Sequence, residues 1–251
     1  MGERVRITRH QGRLPGGRVS DARNLVLLSA GMDSAVNLLI ALERGGVGAA
    51  VTVDYGQRAA PREVEKARAL CGLYGVRHVV LGATWLGGLS QDALTTPQVP
   101  LPVIESDRLG DAALMEDAMR AVWVPNRNGL VVNMGACVAE AAGLEWVVMG
   151  LNAEEGSTFP DNSPGFVREV NRALGYSTLS RVRLRSFTLK WDKMGVMREA
   201  IVRELDFRNI WSCYNGGELM CGSCESCARL LASAQALRCS SRLKGLFVQR
   251  T

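Results

Sequence analysis

The chain has 251 residues, 47% of them hydrophobic and 22% charged, with a net charge of +5. That length bounds the fold at one or two domains, the apolar share suffices for a substantial core, and no stretch approaches the ~20 apolar residues that span a bilayer. Residues 1–20 carry Arg4, Arg6, Arg9, Arg13 and Arg18 without the apolar centre of a secretory signal, so a cytoplasmic location is expected, with a solvated basic arm or an edge strand favoured over nucleic-acid binding.

The first element is the apolar run Leu25, Val26, Leu27, Leu28, which suits a strand buried on both faces of a parallel sheet. Behind it come Ser29, Ala30, Gly31, Met32, Asp33 and Ser34, and then a segment over 35–42 with the composition of a buried helix. A strand, a small-residue turn and a helix start together bring free backbone amides and the positive end of a helix dipole to one point, which grips phosphate. The spacing Gly-x4-Gly-Lys-Ser/Thr is missing, and so is Gly-x-Gly-x-x-Gly, so a kinase-type phosphate loop and a dinucleotide fold are not supported. Ala30 is expected to be tolerated in the turn if its φ is negative, and Gly31 to relax the backbone.

Further along, 49–54 reads as a second strand, 61–74 as a helix with Pro61 at its start, and 77–81 as a third strand. Over 82–124 the pattern weakens around Pro97, Pro100 and Pro102, and a long loop covering a crevice is expected. Residues 126–143 form a long Ala- and Val-rich helix, followed by a strand over 145–151. Arg181, Arg183 and Arg185 alternate, which places them on one strand face, at a sheet edge or beside an anion. Successive βα units of this kind give a doubly wound parallel sheet, and the loops after Leu28, Val53 and Met149 converge on one crevice at its carboxyl edge.

Four of the seven cysteines, Cys213, Cys221, Cys224 and Cys227, crowd the C-terminal region. In a reducing compartment such clustering points to metal rather than disulfides. Four thiolates close a tetrahedral Zn²⁺ site, which makes it structural; the alternative is an iron–sulfur cluster with Cys213 or Cys239 as its fourth ligand. Cys71, Cys137 and Cys239 read as small core residues, and His78 as a packing residue. With two histidines and no Gly-x-Ser-x-Gly, a hydrolytic triad is poorly supported.

The order of these segments carries a specific resemblance. The turn 29–34, the run Val53, Asp54, Tyr55, Gly56, Gln57, Arg58, the element Val124 to Asn128, then Phe159, Pro160, Asp161, and finally Ser212, Cys213, Tyr214 leading into the cysteine cluster resemble the QueC family of 7-cyano-7-deazaguanine synthases, N-type ATP pyrophosphatases. The resemblance implies an α/β, doubly wound parallel sheet of the adenine nucleotide alpha hydrolase-like, PP-loop type over residues 1–207, with a C-terminal zinc-binding helical segment over 208–251. It further implies ATP-dependent conversion of 7-carboxy-7-deazaguanine and ammonia to the nitrile, using Mg²⁺, by a homodimer without membrane attachment.

By the same resemblance, Ser29, Ala30, Gly31, Met32, Asp33 and Ser34 surround the pyrophosphate, with Asp33 also placing Mg²⁺. Tyr55, Gly56, Gln57 and Arg58 lie near the nucleotide, Arg58 compensating phosphate charge. Arg127 and Asn128 bind phosphate or the substrate carboxylate, Asp161 accepts the paired N–H donors of the guanine-like edge, and Lys193 stabilises the adenylation transition state, with Lys190 as fallback. Ala59 and Asn162 depart from the histidine and cysteine common in the family. The departures keep open an enzyme that stops at the amide or joins the deazaguanine to another amine, including one on a protein. A zinc-ribbon nucleic-acid binder is the reading from another class, and Asp33 and Ser34 argue against it.

Overall fold

A computed structural model describes residues 22–105 and 108–249. The basic arm with its five arginines and His10 lies outside them. The elements run β1 (Asn24–Leu27), α1 (Met32–Glu43), β2 (Val47–Asp54), α2 (Ala60–Tyr74), β3 (His78–Gly82), α3 (Ala112–Ala121), α4 (Arg127–Ala141), β4 (Trp146–Val148), α5 (Ala153–Gly156), α6 (Pro164–Ser177), β5 (Arg183–Arg185), α7 (Lys193–Val202) and α8 (Glu225–Ala236).

The strands form one parallel sheet in the order β3-β2-β1-β4-β5, with Val26 opposite Ala50 on one side and Val148 on the other. Side chains alternate along a strand, so a central strand needs apolar residues at every position. Leu25 and Leu27 pack with Val132 and Ala136 of α4 and Leu174 of α6. Val26 and Leu28 pack on the opposite face with α1, α2 and α7. The chain leaves β1 toward β2 and later returns to its other side at β4, which puts the topological switch point, and hence the ligand crevice, at the carboxyl ends of β1 and β4.

The C-terminal segment is continuous with this core. Ile210, Trp211, Cys213, Cys227 and Leu230 belong to the same cluster as Val26 and α1, and the Trp211 amide donates to the Ala30 carbonyl at 2.8 Å. No helix among the described residues is long and apolar enough to cross a membrane.

Several expectations need correction. The stretch 82–124 is not a structureless loop: it contains the ten-residue helix α3, capped by Asp111, whose carboxylate accepts the Leu114 amide at 3.1 Å. Met115 and Ala118 give that helix an apolar face packed on Ile104. The strand expected over 145–151 ends at Val148, because the chain after it leaves the sheet to wall the crevice. Arg181 has φ +54 and lies before β5, so the three arginines do not share a strand face. Arg185 lies 4.4 Å from the Trp146 ring and 4.7 Å from that of Phe187, on the edge strand and away from the crevice, which settles the pair of options in favour of the edge. Cys137 is exposed on α4 and is no core residue, whereas Cys71 and Cys239 are buried.

Candidate active site

A cavity of about 260 Å³ opens at the switch point, walled by the ends of β1 and β2, the start of α4, and the C-terminal segment. At one end stands the turn 29–34. Helix α1 has no side-chain N-cap, so the amides of Met32, Asp33 and Ser34 meet the cavity without a carbonyl partner. Ser34 Oγ donates to the Gly31 carbonyl at 2.9 Å and lies 3.3 Å from Ser29 Oγ, which keeps the turn tight.

The backbone of the turn differs from expectation. Ala30 carries the positive φ, +59, and is fully buried, while Gly31 is extended at φ −62. The methyl of Ala30 is therefore held in the left-handed region rather than avoiding it. Opposite the turn, a Cβ on Gly150 would lie 2.6 Å from the Ser34 nitrogen, so only glycine lets the loop after β4 approach this closely.

Asp33 is the hub of a buried charge cluster. Its Oδ2 lies 2.6 Å from Lys193 Nζ and its Oδ1 accepts from Asn152 Nδ2 at 3.1 Å. Lys193 begins α7, whose N-cap Asp192 accepts the Gly195 amide at 2.7 Å, and its Nζ also reaches Glu155 Oε1 at 2.5 Å. Burial works against the ammonium, but the two carboxylates hold its pKa well above the ordinary lysine value. Burial also raises Asp33, whereas for Glu155 the attraction of Lys193 overcomes burial and keeps it below the usual range. The cluster thus sets two carboxyl groups around one ammonium beside the free amides.

Gln57 shapes the second corner. Its Oε1 accepts the Tyr55 amide at 2.9 Å, and its Nε2 donates to the Val53 carbonyl at 3.2 Å and to Glu63 Oε2 at 2.8 Å. Gly56 has φ +91 and donates its amide to Asp54 Oδ1 at 3.0 Å. Arg58 does not wall the cavity; its guanidinium donates to the carbonyls of Thr96 and Val99 and fastens the covering segment.

Arg127 lies 5.7 Å from the Tyr55 ring, donates to Tyr55 Oη at 3.4 Å and to Asn128 Oδ1 at 3.2 Å, and lines the cavity with Asn128. Asn128 Nδ2 in turn donates to the Asp161 carbonyl at 3.4 Å. The Asp161 carboxylate accepts from Asn162 Nδ2 at 3.1 Å and is not part of the cavity wall, which takes Phe159 and Asn162 from this turn instead. Ala59 and Asn162, the two departures from the family pattern, both line the cavity.

Beside the cavity the sulfurs of Cys213, Cys221, Cys224 and Cys227 all lie within 4.8 Å of one another. Cys213 Sγ accepts the amides of Asn215 and Cys221, both at 3.3 Å, and Cys221 Sγ those of Ser223 at 3.4 Å and Cys224 at 3.3 Å. Amides directed at sulfur stabilise thiolates, and the spacing lets the four sulfurs hold one metal ion. Cys239 stands apart from the group.

A family model described as "Queuosine biosynthesis protein QueC" matches residues 23–237. The chain belongs to that family. It is 46% identical over 208 residues to a 7-cyano-7-deazaguanine synthase of Desulforudis audaxviator, covering 83% of this chain and 94% of the relative. A second enzyme of that name, from Pelotomaculum thermopropionicum, is 43% identical over 213 residues, covering 85% and 96%. Among solved structures, the U34-tRNA thiolase NcsA from Methanococcus maripaludis is similar at a TM-score of 0.48 and 16% identity, covering 90% of this chain and 68% of that one.

The fold also brings in residues that no motif announced. Asn152 and Glu155 follow β4 directly, and acidic or amide residues just past a strand's carboxyl end are the signal that marks them. Glu225 and Arg229 stand four apart on α8, immediately behind Cys224. Arg229 pairs with Glu225 and with Glu154, Glu225 accepts from Tyr214 Oη at 2.8 Å, and Glu154 Oε2 accepts the Lys193 amide at 3.1 Å. A continuous polar chain thereby links the cysteine cluster to the start of α7.

Proposed function

We propose that this cavity converts 7-carboxy-7-deazaguanine and ammonia into 7-cyano-7-deazaguanine with two ATP, releasing AMP and pyrophosphate at each adenylation. The supporting observation is the conjunction of three free amides at the start of α1 with the Lys193, Asp33 and Glu155 cluster at the switch point, in a chain of the QueC family. The named relatives are 7-cyano-7-deazaguanine synthases over nearly their whole length.

The chemistry asks mainly for positioning and charge neutralisation. A carboxylate is a poor electrophile because its leaving group would be oxide. Its oxygen attacks the α-phosphorus, the bond to pyrophosphate breaks, and the acyl adenylate carries a good leaving group. Ammonia adds to the carbonyl carbon and AMP departs, leaving the amide. The amide oxygen then attacks the second α-phosphorus, and loss of AMP with the two nitrogen protons gives the nitrile. In this reading the amides of Met32, Asp33 and Ser34 hold the pyrophosphate oxygens, Lys193 balances the charge that builds on the α-phosphoryl group, and Arg127 and Asn128 orient the substrate carboxylate.

Asp33 and Glu155 already gather around the Lys193 cation, so they fit a Mg²⁺ shared with the phosphates, which would supply neutralisation of the leaving pyrophosphate. The four thiolates fit Zn²⁺ in a closed, structural site. A homodimer in the cytoplasm completes the reading, and light scattering at working concentration tests the dimer.

Incubation with 7-carboxy-7-deazaguanine, ATP, Mg²⁺ and ammonium, with products identified by mass, is the decisive experiment. Nitrile, AMP and pyrophosphate are expected; ADP and phosphate as main products overturn the reading. Because Ala59 and Asn162 line the cavity, accumulation of the amide or of an amine conjugate would locate the difference from the family at these two positions.

A further inference from the structure

Four carboxyl groups line the cavity: Asp33, Glu63, Glu155 and Glu225. Three of them face a cation. Asp33 and Glu155 share Lys193, and Glu225 pairs with Arg229 while its second oxygen accepts from Tyr214. Glu63, in the first turn of α2, makes no ion pair among the described residues, although the positive charge of Arg127 acts on it. Among the described residues its one hydrogen bond is that from Gln57 Nε2 to Oε2 at 2.8 Å, which leaves Oε1 unbonded at the cavity.

The contact also fixes how Glu63 is presented. Gln57 Oε1 accepts the Tyr55 amide, so its NH₂ group is committed to the Val53 carbonyl and to Glu63. A neutral donor orients the carboxyl without satisfying it. Tyr55, Leu94, Val122 and Phe159 line the same cavity and belong to one apolar cluster, which gives a base an apolar wall in the same cavity as the acceptor. Glu63 is half-buried, and an acceptor withdrawn in part from water gains when a ligand donor completes it. Burial pushes the Glu63 carboxyl up to about 7, against the opposing pull of the Gln57 hydrogen bond and the Arg127 charge.

We infer that Glu63 reads the N1–H and 2-amino edge of the guanine-type base, the task that the family resemblance implies for Asp161. The inference rests on the functional reading above and deepens it. A carboxylate offers two in-plane acceptors, which match two adjacent N–H donors. The edge of adenine presents one donor beside an acceptor nitrogen, and a carboxylate repels the latter. Asp161 is outside the cavity wall, and its Oδ1 accepts from Asn162.

The test compares binding of 7-carboxy-7-deazaguanine with that of its 2-desamino analogue, by calorimetry, in the full-length wild type and in Glu63→Gln, with ATP titrated separately. The wild type should prefer the 2-amino compound by roughly 30-fold or more, and Glu63→Gln should lose most of that preference while its ATP affinity stays within about twofold. A variant that keeps the preference overturns the assignment, and one that loses ATP affinity instead assigns Glu63 to adenine. If Glu63→Gln is not folded by melting, Glu63→Asp replaces it; withdrawing the carboxylate by one methylene should cut the preference about tenfold, and an undiminished preference overturns the inference. A wild type that binds neither base at all removes the functional reading itself, an outcome distinct from retained preference in the variant.

Discussion

The two ends of the cavity are built in opposite ways. The phosphate-facing end comes from one contiguous stretch, residues 29–34, whose amides project as soon as β1 turns into α1. The far end is assembled from α2, α4, the Phe159 turn and α8, and each contributes one or two side chains held by partners distant in sequence. The first rests chiefly on the backbone of that one turn. The second depends on packing, and above all on the cysteine cluster that fixes the start of α8.

The largest effect should come from attacking the scaffold of the far end. Cys224→Ser opens the tetrahedral site, and because metal binding to such clusters is coupled to folding, stability should fall by several kcal/mol with loss of the ion. Metal content and thermal melting measure both. A variant that keeps its metal and its melting point breaks the contrast, since the far end would then not depend on the cluster.

At the phosphate end, Lys193→Met should slow pyrophosphate release by about 10²–10³-fold, the usual consequence of losing one preorganised charge partner, equivalent to about 3–4 kcal/mol. ATP binding should persist, because the amides of 32–34 are backbone groups. Equal losses in binding and turnover would mean that the side chain, and not the turn, holds the nucleotide.

How much of this was legible follows from the same contrast. The strand, the turn and the cysteine cluster each lie within a few consecutive residues, so composition and spacing expose them. Glu63 looks like any acid in the first turn of a helix, and Arg229 like any i, i+4 partner of a glutamate. Their roles exist only once α2 and α8 face one cavity. The Pro160 turn presents Phe159 and Asn162 to the cavity rather than Asp161, and nothing in the local sequence says which side of a tight turn looks inward. The helix α3 was hidden because its apolar face is short and its partners, Ile104 and Leu109, come from the Pro-broken stretch before it.

The sheet floor between the two ends offers a pH test. Thr52 Oγ1 donates to the Leu28 carbonyl at 2.6 Å, so His78 Nε2, 2.8 Å away, must carry the proton and donate to Thr52. Burial, reinforced by Arg68, lowers the His78 pKa to about 4. The unfolded chain, with a histidine pKa of about 6.5, then binds more protons than the native state, so stability falls as the pH drops from about 6.5 through 4. A penalty of about 2–3 kcal/mol at the acid end is expected, read as the difference between denaturation curves of wild type and His78→Gln across that range. Parallel curves would show that the floor does not titrate.

The smallest effect probes the turn itself. Ala30 sits at φ +59, where a Cβ costs about 1 kcal/mol relative to glycine, partly offset by the greater freedom of unfolded glycine. Ala30→Gly should therefore raise stability by about 0.5 kcal/mol in chemical denaturation. A loss of stability would show that the buried methyl is worth more than the strain.

The hydrogen bond from the Trp211 amide to the Ala30 carbonyl has a practical corollary for anyone redesigning the molecule. The region after Arg208 resembles a detachable appendage, the kind of tail that is trimmed to shorten a gene or swapped for a reporter. Here such trimming would remove the brace behind the one turn residue whose backbone most needs it, and would uncover Val26, Leu28 and α1 at the same stroke. Fusions and insertions belong at other sites, such as the exposed Tyr176 to Leu179 corner at the end of α6.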